Sequence, residues 1–331
     1  MNQQVTRYQA LFHDTQVYPL VENEVSSVVQ VKNDTGDGLM SSYVVFPGVS
    51  LLFNDFHMVQ CESNFQADCT MFCIDHCREG RIEQEISNGA YIYLGAGDLY
   101  IDRRKNCGRQ VAFPLGHYHG ISLSLIAGQA EDGIRSYVKD FPVDIGKLTQ
   151  KYCNGKSNLV LQNEPGLERI FADLYAVPSQ IRLPYFRVKI QELLLYLDAL
   201  ELPDEAAQRP YFYKGQVEKA KAIHTLMTEN LDRHYTLEEL SKQFDFPMTA
   251  MKQCFRNIYN NSIFSYMKAY RINQAAVLLR HDRNKSVLEI ATEMGYDSPG
   301  KFSTAFKSVM GVSPLAYRKK SDGLDKNQLD R

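Results

Sequence analysis

Two groupings in the first half of the chain carry side chains that could bind a metal or act as nucleophiles. Cys69, Cys73 and Cys77 recur every four residues, with Asp75 and His76 between the last two, and such sulfur, carboxylate and imidazole donors suit zinc or thiol redox chemistry. The surrounding residues are rich in Ile, Phe and Tyr and Gly80 follows, which reads as strand and not helix. A strand puts Cys69, Met71, Cys73, Asp75 and Cys77 on one face and Phe72, Ile74 and His76 on the other, with successive cysteines about 13 Å apart. That is too wide for one zinc, so the cysteines read as small buried hydrophobes. The second grouping, His117-Tyr118-His119, aligns two imidazoles on one side of a strand, as an iron site would. The carboxylate and third histidine of such a site do not follow at a useful spacing: the next acids are Glu131 and Asp132, and the next histidine is His224. The pair therefore reads as polar lining of a ligand pocket, with Tyr91 and Tyr93 as further candidates; we expect no catalytic residue, metal or cofactor.

A third grouping, near the C-terminal end, offers donors suited to phosphates and base edges: Thr249, Lys252, Gln253 and Arg256, then Lys301, Thr304 and Lys307. What they can do depends on the elements that carry them. The segments Ser42–Phe53, Cys69–Cys77, Ala90–Leu94, Leu99–Asp102 and Gly120–Ala127 read as strands separated by turn clusters, which suggests an antiparallel barrel or sandwich. The aromatic residues Tyr43, Phe46, Phe53, Tyr91, Tyr93 and Tyr100 would fill its core. Residues 164–177 and 185–202 then show three-to-four spacing of apolar side chains, the mark of amphipathic helices. The wide stripe Leu193, Leu194, Leu197 and Leu200 makes the second a candidate dimerisation element. A polar, proline-bearing stretch over 203–215 reads as a linker.

From 216 to 320 the sequence is helical throughout. Thr236-Leu237-Glu238-Glu239 and Ser286-Val287-Leu288-Glu289 are capping boxes, and Ser298-Pro299 and Ser313-Pro314 set a proline just inside two further helices. The region also repeats itself. Thr236, Glu239, Leu240 and Ser241 fall on Ser286, Glu289, Ile290 and Ala291 at an offset of 50, while Met251, Phe255, Arg256, Ser262 and Tyr266 fall on Phe302, Phe306, Lys307, Ser313 and Tyr317 at 51. Each copy reads as helix, turn, helix, with Asp245 or Gly295 at the left-handed position of the turn. One long helix over Ser262–Arg280, buried through Ile263, Met267, Ala275 and Leu279, would hold the two units apart. A separation of about 34 Å would place their second helices in successive major grooves.

The run from Ser286 through Ala291-Thr292-Glu293-Met294-Gly295 and Ser298-Pro299 to Gly311-Val312-Ser313-Pro314 and Tyr317-Arg318 closely resembles the signature of AraC/XylS transcription regulators, and Arg271 to Leu279 resembles that family's connector helix. The resemblance covers about a third of the chain. It implies a seven-helix, double helix-turn-helix DNA-binding domain joined to a cupin-like barrel for a small effector. It also implies base contacts from Thr249, Lys252 and Gln253 in the first copy and from Gly300, Lys301 and Thr304 in the second. Arg256 and Lys307 suit phosphate. Many relatives carry a bulkier reader where this chain has Gly300 and Thr304, so readout by the second copy rests largely on Lys301. Met251, Phe255, Ile258, Phe302, Phe306 and Val309 would form the buried faces.

Charge agrees with that division. The net charge of the 331 residues is −2, yet residues 215–320 carry 16 Lys and Arg against 10 Asp and Glu, residues 1–214 carry 19 against 26, and 321–331 carry 2 against 3. The basic segment is the one suited to a polyanion. No run approaches the roughly 18 apolar residues of a membrane span. An odd count of seven cysteines argues against a disulfide framework, and the N-terminus lacks signal-peptide order, so we expect a cytoplasmic protein. The expected architecture is α+β: a mainly-β domain with a helical dimerisation segment over 1–202, a linker over 203–215, an all-α double helix-turn-helix domain over 216–320 and a tail over 321–331. The expected function is a sequence-specific, homodimeric transcription regulator, an activator acting on RNA polymerase, with double-stranded DNA and a small effector as partners. Two alternatives stay open: a metal-dependent cupin enzyme fused to a DNA-binding module, and a dimeric regulator that needs no ligand.

Overall fold

Turn chemistry sets the strand boundaries of the N-terminal half. Asn33 accepts at its side chain from the amide of Thr35 at 2.8 Å, closing the hairpin between β3 (Ser26–Asn33) and β4 (Gly36–Phe46), whose register runs from Asn33 opposite Gly36 to Ser26 opposite Tyr43. Gly48, at φ 74°, turns the chain again, so the single strand expected over Ser42–Phe53 is in fact the end of β4 and most of β5 (Val49–His57). The computed structural model describes residues 12–13, 15–86, 89–153, 159–162, 164–202, 211–282 and 284–319, with the side chains of all but 12–13, 63–69 and 105–110. Most of the expected linker and the whole expected tail therefore lie outside the described residues, as does the side chain of Cys69. The chain divides into two units at Tyr211/Phe212.

The first unit is an antiparallel half-barrel. With β1 (Phe12–His13), β2 (Gln16–Glu22), β6 (Gln60–Ile86), β7 (Ala90–Gly95), β8 (Leu99–Ala112), β9 (Tyr118–Ile126) and β10 (Leu159–Leu161), its main path runs β10-β8-β6-β9-β5-β4-β3-β2. Strand β6 extends well past the expected Cys69–Cys77. Within it, Met71 to His76 are central: they oppose Arg104 to Leu99 on one side and Ile126 to Ile121 on the other, one number rising as its partner falls. Alternation then sorts the side chains as the sequence suggested. Phe72 and Ile74 join a core shared with helices, while Cys77 faces the inner cluster with Tyr100, Phe113 and Tyr118.

Four helices cover the outer face: α1 (Gln129–Arg135), α2 (Ile145–Cys153), α3 (Pro165–Tyr175) and α4 (Arg182–Ala199). The last two match the expected amphipathic segments; the first two were not read from the sequence, being short. Leu193, Leu194 and Leu197 are at most 1% exposed in that core, where each fully buried leucine contributes about 2 kcal/mol, and Leu200 packs against it. The stripe expected to form a dimer contact thus faces its own sheet, because the outer face of β4, β5 and β9 needs an apolar cover.

The second unit is helical: α5 (Lys214–Glu229), α6 (Leu237–Gln243), α7 (Met248–Tyr259), α8 (Ile263–His281), α9 (Val287–Glu293), α10 (Pro299–Met310) and helical residues 314–319. Both capping boxes form. Thr236 Oγ1 accepts from the Glu239 amide at 3.1 Å while the Glu239 carboxylate accepts from the Thr236 amide at 2.7 Å, and Ser286 and Glu289 do the same at 3.1 and 2.6 Å. Arg271 of α8, 5% exposed, donates to the carbonyls of Leu231 at 2.9 Å and Arg233 at 2.7 Å, which ties the loop before α6 to the connector.

Candidate nucleic-acid interface

Two helix-turn-helix units, α6–α7 and α9–α10, share their turn hydrogen bonds where the sequence repeats. Asp245 and Gly295 both hold left-handed backbone, at φ 44° and 77°, and both turns close with the next residue's amide on an equivalent carbonyl: Phe246 to Ser241 and Tyr296 to Ala291, each at 2.9 Å. The extra residue of the second copy falls between that bond and the next helix, since Met251 bonds back to Pro247 and Phe302 to Ser298. After the second helix of each unit, Asn260 and Gly311 take left-handed backbone at φ 58° and 74°. These two positions also lie 51 residues apart, which extends the repeat to the end of each second helix. Tyr266 meets Phe255 edge-on at 5.8 Å and 79°, and Tyr317 meets Phe306 at 5.5 Å and 74°.

This repeated scaffold divides α7 and α10 sharply by face. Met251, Phe255 and Ile258, like Phe302 and Phe306, are wholly buried. Val309 departs from the expected inner face: it is 38% exposed where its counterpart Ile258 is covered. Each second helix packs on the helix that precedes its unit: α7 on α5, with His224 stacked 4.5 Å from Tyr259, and α10 on α8. On the opposite face, Thr249, Lys252, Gln253 and Arg256 are exposed along α7, and Gly300, Lys301, Thr304 and Lys307 along α10. Their spacing puts each set along one side of its helix. Among the described residues the side chains of Lys252, Gln253, Arg256, Lys301 and Lys307 make no hydrogen bond or ion pair, so their donors are available to a ligand. Thr304 is different, because its hydroxyl donates to the Gly300 carbonyl at 2.9 Å and is left only to accept. Around Gly300 the space is open: a methyl group there would meet nothing nearer than Ser298 Oγ at 3.7 Å.

The residues singled out in the first unit do not gather into one pocket. Tyr93 is buried and donates to Glu83 at 2.7 Å, while Tyr91 lies beside it on β7, opposite Glu85 and half-buried. His117 precedes β9, its Nδ1 3.2 Å from the Leu115 carbonyl. His119 instead lies across the sheet, its ring 5.2 Å from that of Tyr175. Cys73 and Cys77 are buried, on the face where Asp75 pairs with Arg104. Among the described residues no three His, Cys, Asp or Glu side chains are placed to hold a metal, and no helix is long and apolar enough to cross a membrane.

Comparison with known proteins bears on the second unit. Residues 240–320 match the family described as a helix-turn-helix domain. The transposon Tn10 TetD protein of Escherichia coli is 31% identical over 99 residues, which cover 30% of this chain and 71% of TetD. The HTH-type transcriptional activator RhaR of Mannheimia succiniciproducens is 23% identical over 124 residues, 38% of this chain and 45% of RhaR. This chain belongs to the AraC family. A crystal structure of an AraC-type DNA-binding protein from Chromobacterium violaceum covers 32% of this chain and 95% of its own at 20% identity, with a TM-score of 0.30. The aligned region of this AraC-family chain spans less than half the length of RhaR.

Proposed function

We propose that this AraC-family chain is a sequence-specific DNA-binding transcription regulator that reads double-stranded DNA through α7 and α10 and senses a small effector through its half-barrel. The observation that carries the reading is the doubled face: two helices, each buried on one side through its aromatic residues and presenting on the other exposed Lys252, Gln253 and Arg256 or Lys301 and Lys307, which have no internal partner among the described residues. Gln253 matches the bidentate edge of adenine and Lys301 that of guanine, each discriminating by about 1–3 kcal/mol. Arg256 and Lys307, in the last turns of their helices, suit phosphate. Binding-site selection from a random duplex pool, using the full chain at moderate salt, tests this. An enriched motif with two separated half-elements supports it; recovery of unselected sequence overturns it.

Homodimerisation, and activation through RNA polymerase, complete the reading. Because the leucine stripe of α4 is buried in its own core, a dimer would use other surfaces. Effector binding would bias an equilibrium between arrangements of the two units, and so the DNA half-sites that a dimer can occupy.

A further inference from the structure

The outer face of the half-barrel has a cleft that none of the expected pocket residues Tyr91, Tyr93, His117 and His119 lines. It lies between β6 and α3, encloses about 330 Å³, and is walled by His76, Arg78, Gly97, Glu168, Ala172 and Tyr175. Its construction follows from two periodicities. His76 and Arg78 stand two residues apart on a strand, hence on one face, and Glu168, Ala172 and Tyr175 lie at positions i, i+4 and i+7 of a helix, hence on one side.

Tyr175 is the floor. The Arg78 guanidinium sits 4.7 Å above its ring, the His119 ring stands edge-on at 5.2 Å, and His76 Nδ1 lies 3.4 Å from its hydroxyl. His76 is 7% exposed and stacks flat on Phe171 at 4.2 Å, which fixes the imidazole plane. No partner is found for its Nε2 among the described residues, and burial together with the Arg78 charge keeps the ring neutral, with a pKa lowered to about 4. The cleft therefore offers a fixed, neutral imidazole nitrogen beside a guanidinium.

The two formal charges of the walls are opposite, and they do not close on each other. Among the described residues Arg78 forms an ion pair with its neighbour Glu79 alone, at 3.7 Å, with both side chains solvent-exposed, and Glu168 makes none. Opposite charges on facing walls, separated by an apolar floor of Ala172 and Tyr175, complement a ligand with its own two poles.

We infer that this cleft is the effector site and that it takes a small zwitterion of the α-amino acid class, the carboxylate on Arg78 and His76, the ammonium on Glu168 and the apolar side chain along Ala172 and Tyr175. The assignment rests on the reading of the first unit as a sensor. A ligand bearing only one charge would leave the opposite wall desolvated and unpaired, so the site discriminates against it.

The test is calorimetric titration of the full chain with the standard L-amino acids, followed by the N-acetyl and amide forms of any that bind. Binding by an apolar or aromatic member is expected, weakened about tenfold or more by capping either pole and by Arg78→Gln or Glu168→Gln. Both variants alter exposed side chains, so folding is retained and checkable by circular dichroism. Absence of binding by every amino acid at millimolar concentration overturns the inference, as does binding unaffected by both variants or by N-acetylation. Measuring operator affinity with and without the ligand separates the two claims. Binding in the cleft without any change in DNA affinity sinks the sensor reading alone; a DNA response to another compound that persists in Arg78→Gln sinks the site alone.

Discussion

Lys301 and Lys307 carry the same charge on the same helix, yet their positions assign them different work. Lys301 stands in the first turn of α10, where the recognition helix of a helix-turn-helix unit meets base edges, and Lys307 in the last turn, where the backbone passes. Lys301→Ala should therefore relax the preference at one or two base pairs by about 1–3 kcal/mol, while Lys307→Ala should weaken all sequences alike and lower the salt slope by about 1. Competition binding against matched and mismatched duplexes at several salt concentrations checks both; equal behaviour of the two variants would contradict the assignment. Gly300 gives a second residue-scale outcome. Its surroundings leave room for a methyl group and its backbone is not left-handed, so Gly300→Ala should stabilise the helix by about 0.5–1 kcal/mol. If DNA affinity falls while thermal stability rises, the glycine is there to let the duplex approach the backbone.

At the scale of elements, the turn is the stiffest requirement. Gly295 holds φ 77°, and a methyl group there would lie 2.8 Å from the Asp232 carbonyl oxygen and 2.9 Å from that of Leu231. Gly295→Ala should cost about 1–3 kcal/mol in urea unfolding of the second unit, combining left-handed strain with displacement of the loop that Arg271 anchors. Asp245 meets the same demand at φ 44° with a side chain that tolerates it less well than glycine does, so Asp245→Gly should be neutral or stabilising. The two turn substitutions thus differ in expected outcome at equivalent positions, and comparable destabilisation by both would refute the equivalence. The repeat was legible in the sequence because caps, turn residues and buried aromatics are local signals that recur at a fixed offset. Val309 departs from its buried counterpart Ile258 although both are apolar at equivalent positions, because the repeat fixes residue type while cover at a helix end depends on tertiary neighbours. The same limit explains α4: a leucine stripe announces an apolar partner, and only the tertiary fold says that the partner is the chain's own sheet. The cleft at His76 and Arg78 escaped for a related reason, since its far wall comes from α3, about ninety residues downstream.

For the whole molecule, the net charge of −2 conceals an acidic first part and a basic second one, so salt and pH should act on the two units by different routes. Salt acts on DNA binding, and the excess of six positive charges over 215–320 is small, which makes engagement of both helix-turn-helix units, or of a dimer, the main source of affinity. Acid acts on folding, and each unit holds a histidine against aromatic rings, buried in the first unit and half-buried in the second. His76 is stacked on Phe171 with its pKa lowered to about 4 by burial and then by Arg78; His224 is stacked on Tyr259, accepts or donates at the Tyr266 hydroxyl at 2.9 Å, and is lowered by burial. A histidine whose folded pKa lies below its unfolded value of 6.5 binds more protons when unfolded, so stability rises with pH through that window and falls on acidification. For His76 the loss should begin near 6.5, reach about 2 kcal/mol by pH 5 and level off below 4. The capping carboxylates Glu239 and Glu289, held below their usual range by the amides they accept from, add a further loss only at lower pH. Calorimetric melting of the full chain at pH 7.5 and pH 5 should therefore show both units melting earlier in acid. His76→Phe, which keeps a flat ring against Phe171, should reduce the acid sensitivity of the first unit, leaving the part due to His119, also lowered by burial, and leave that of the second; a pH dependence unchanged in that variant would assign the effect to other groups.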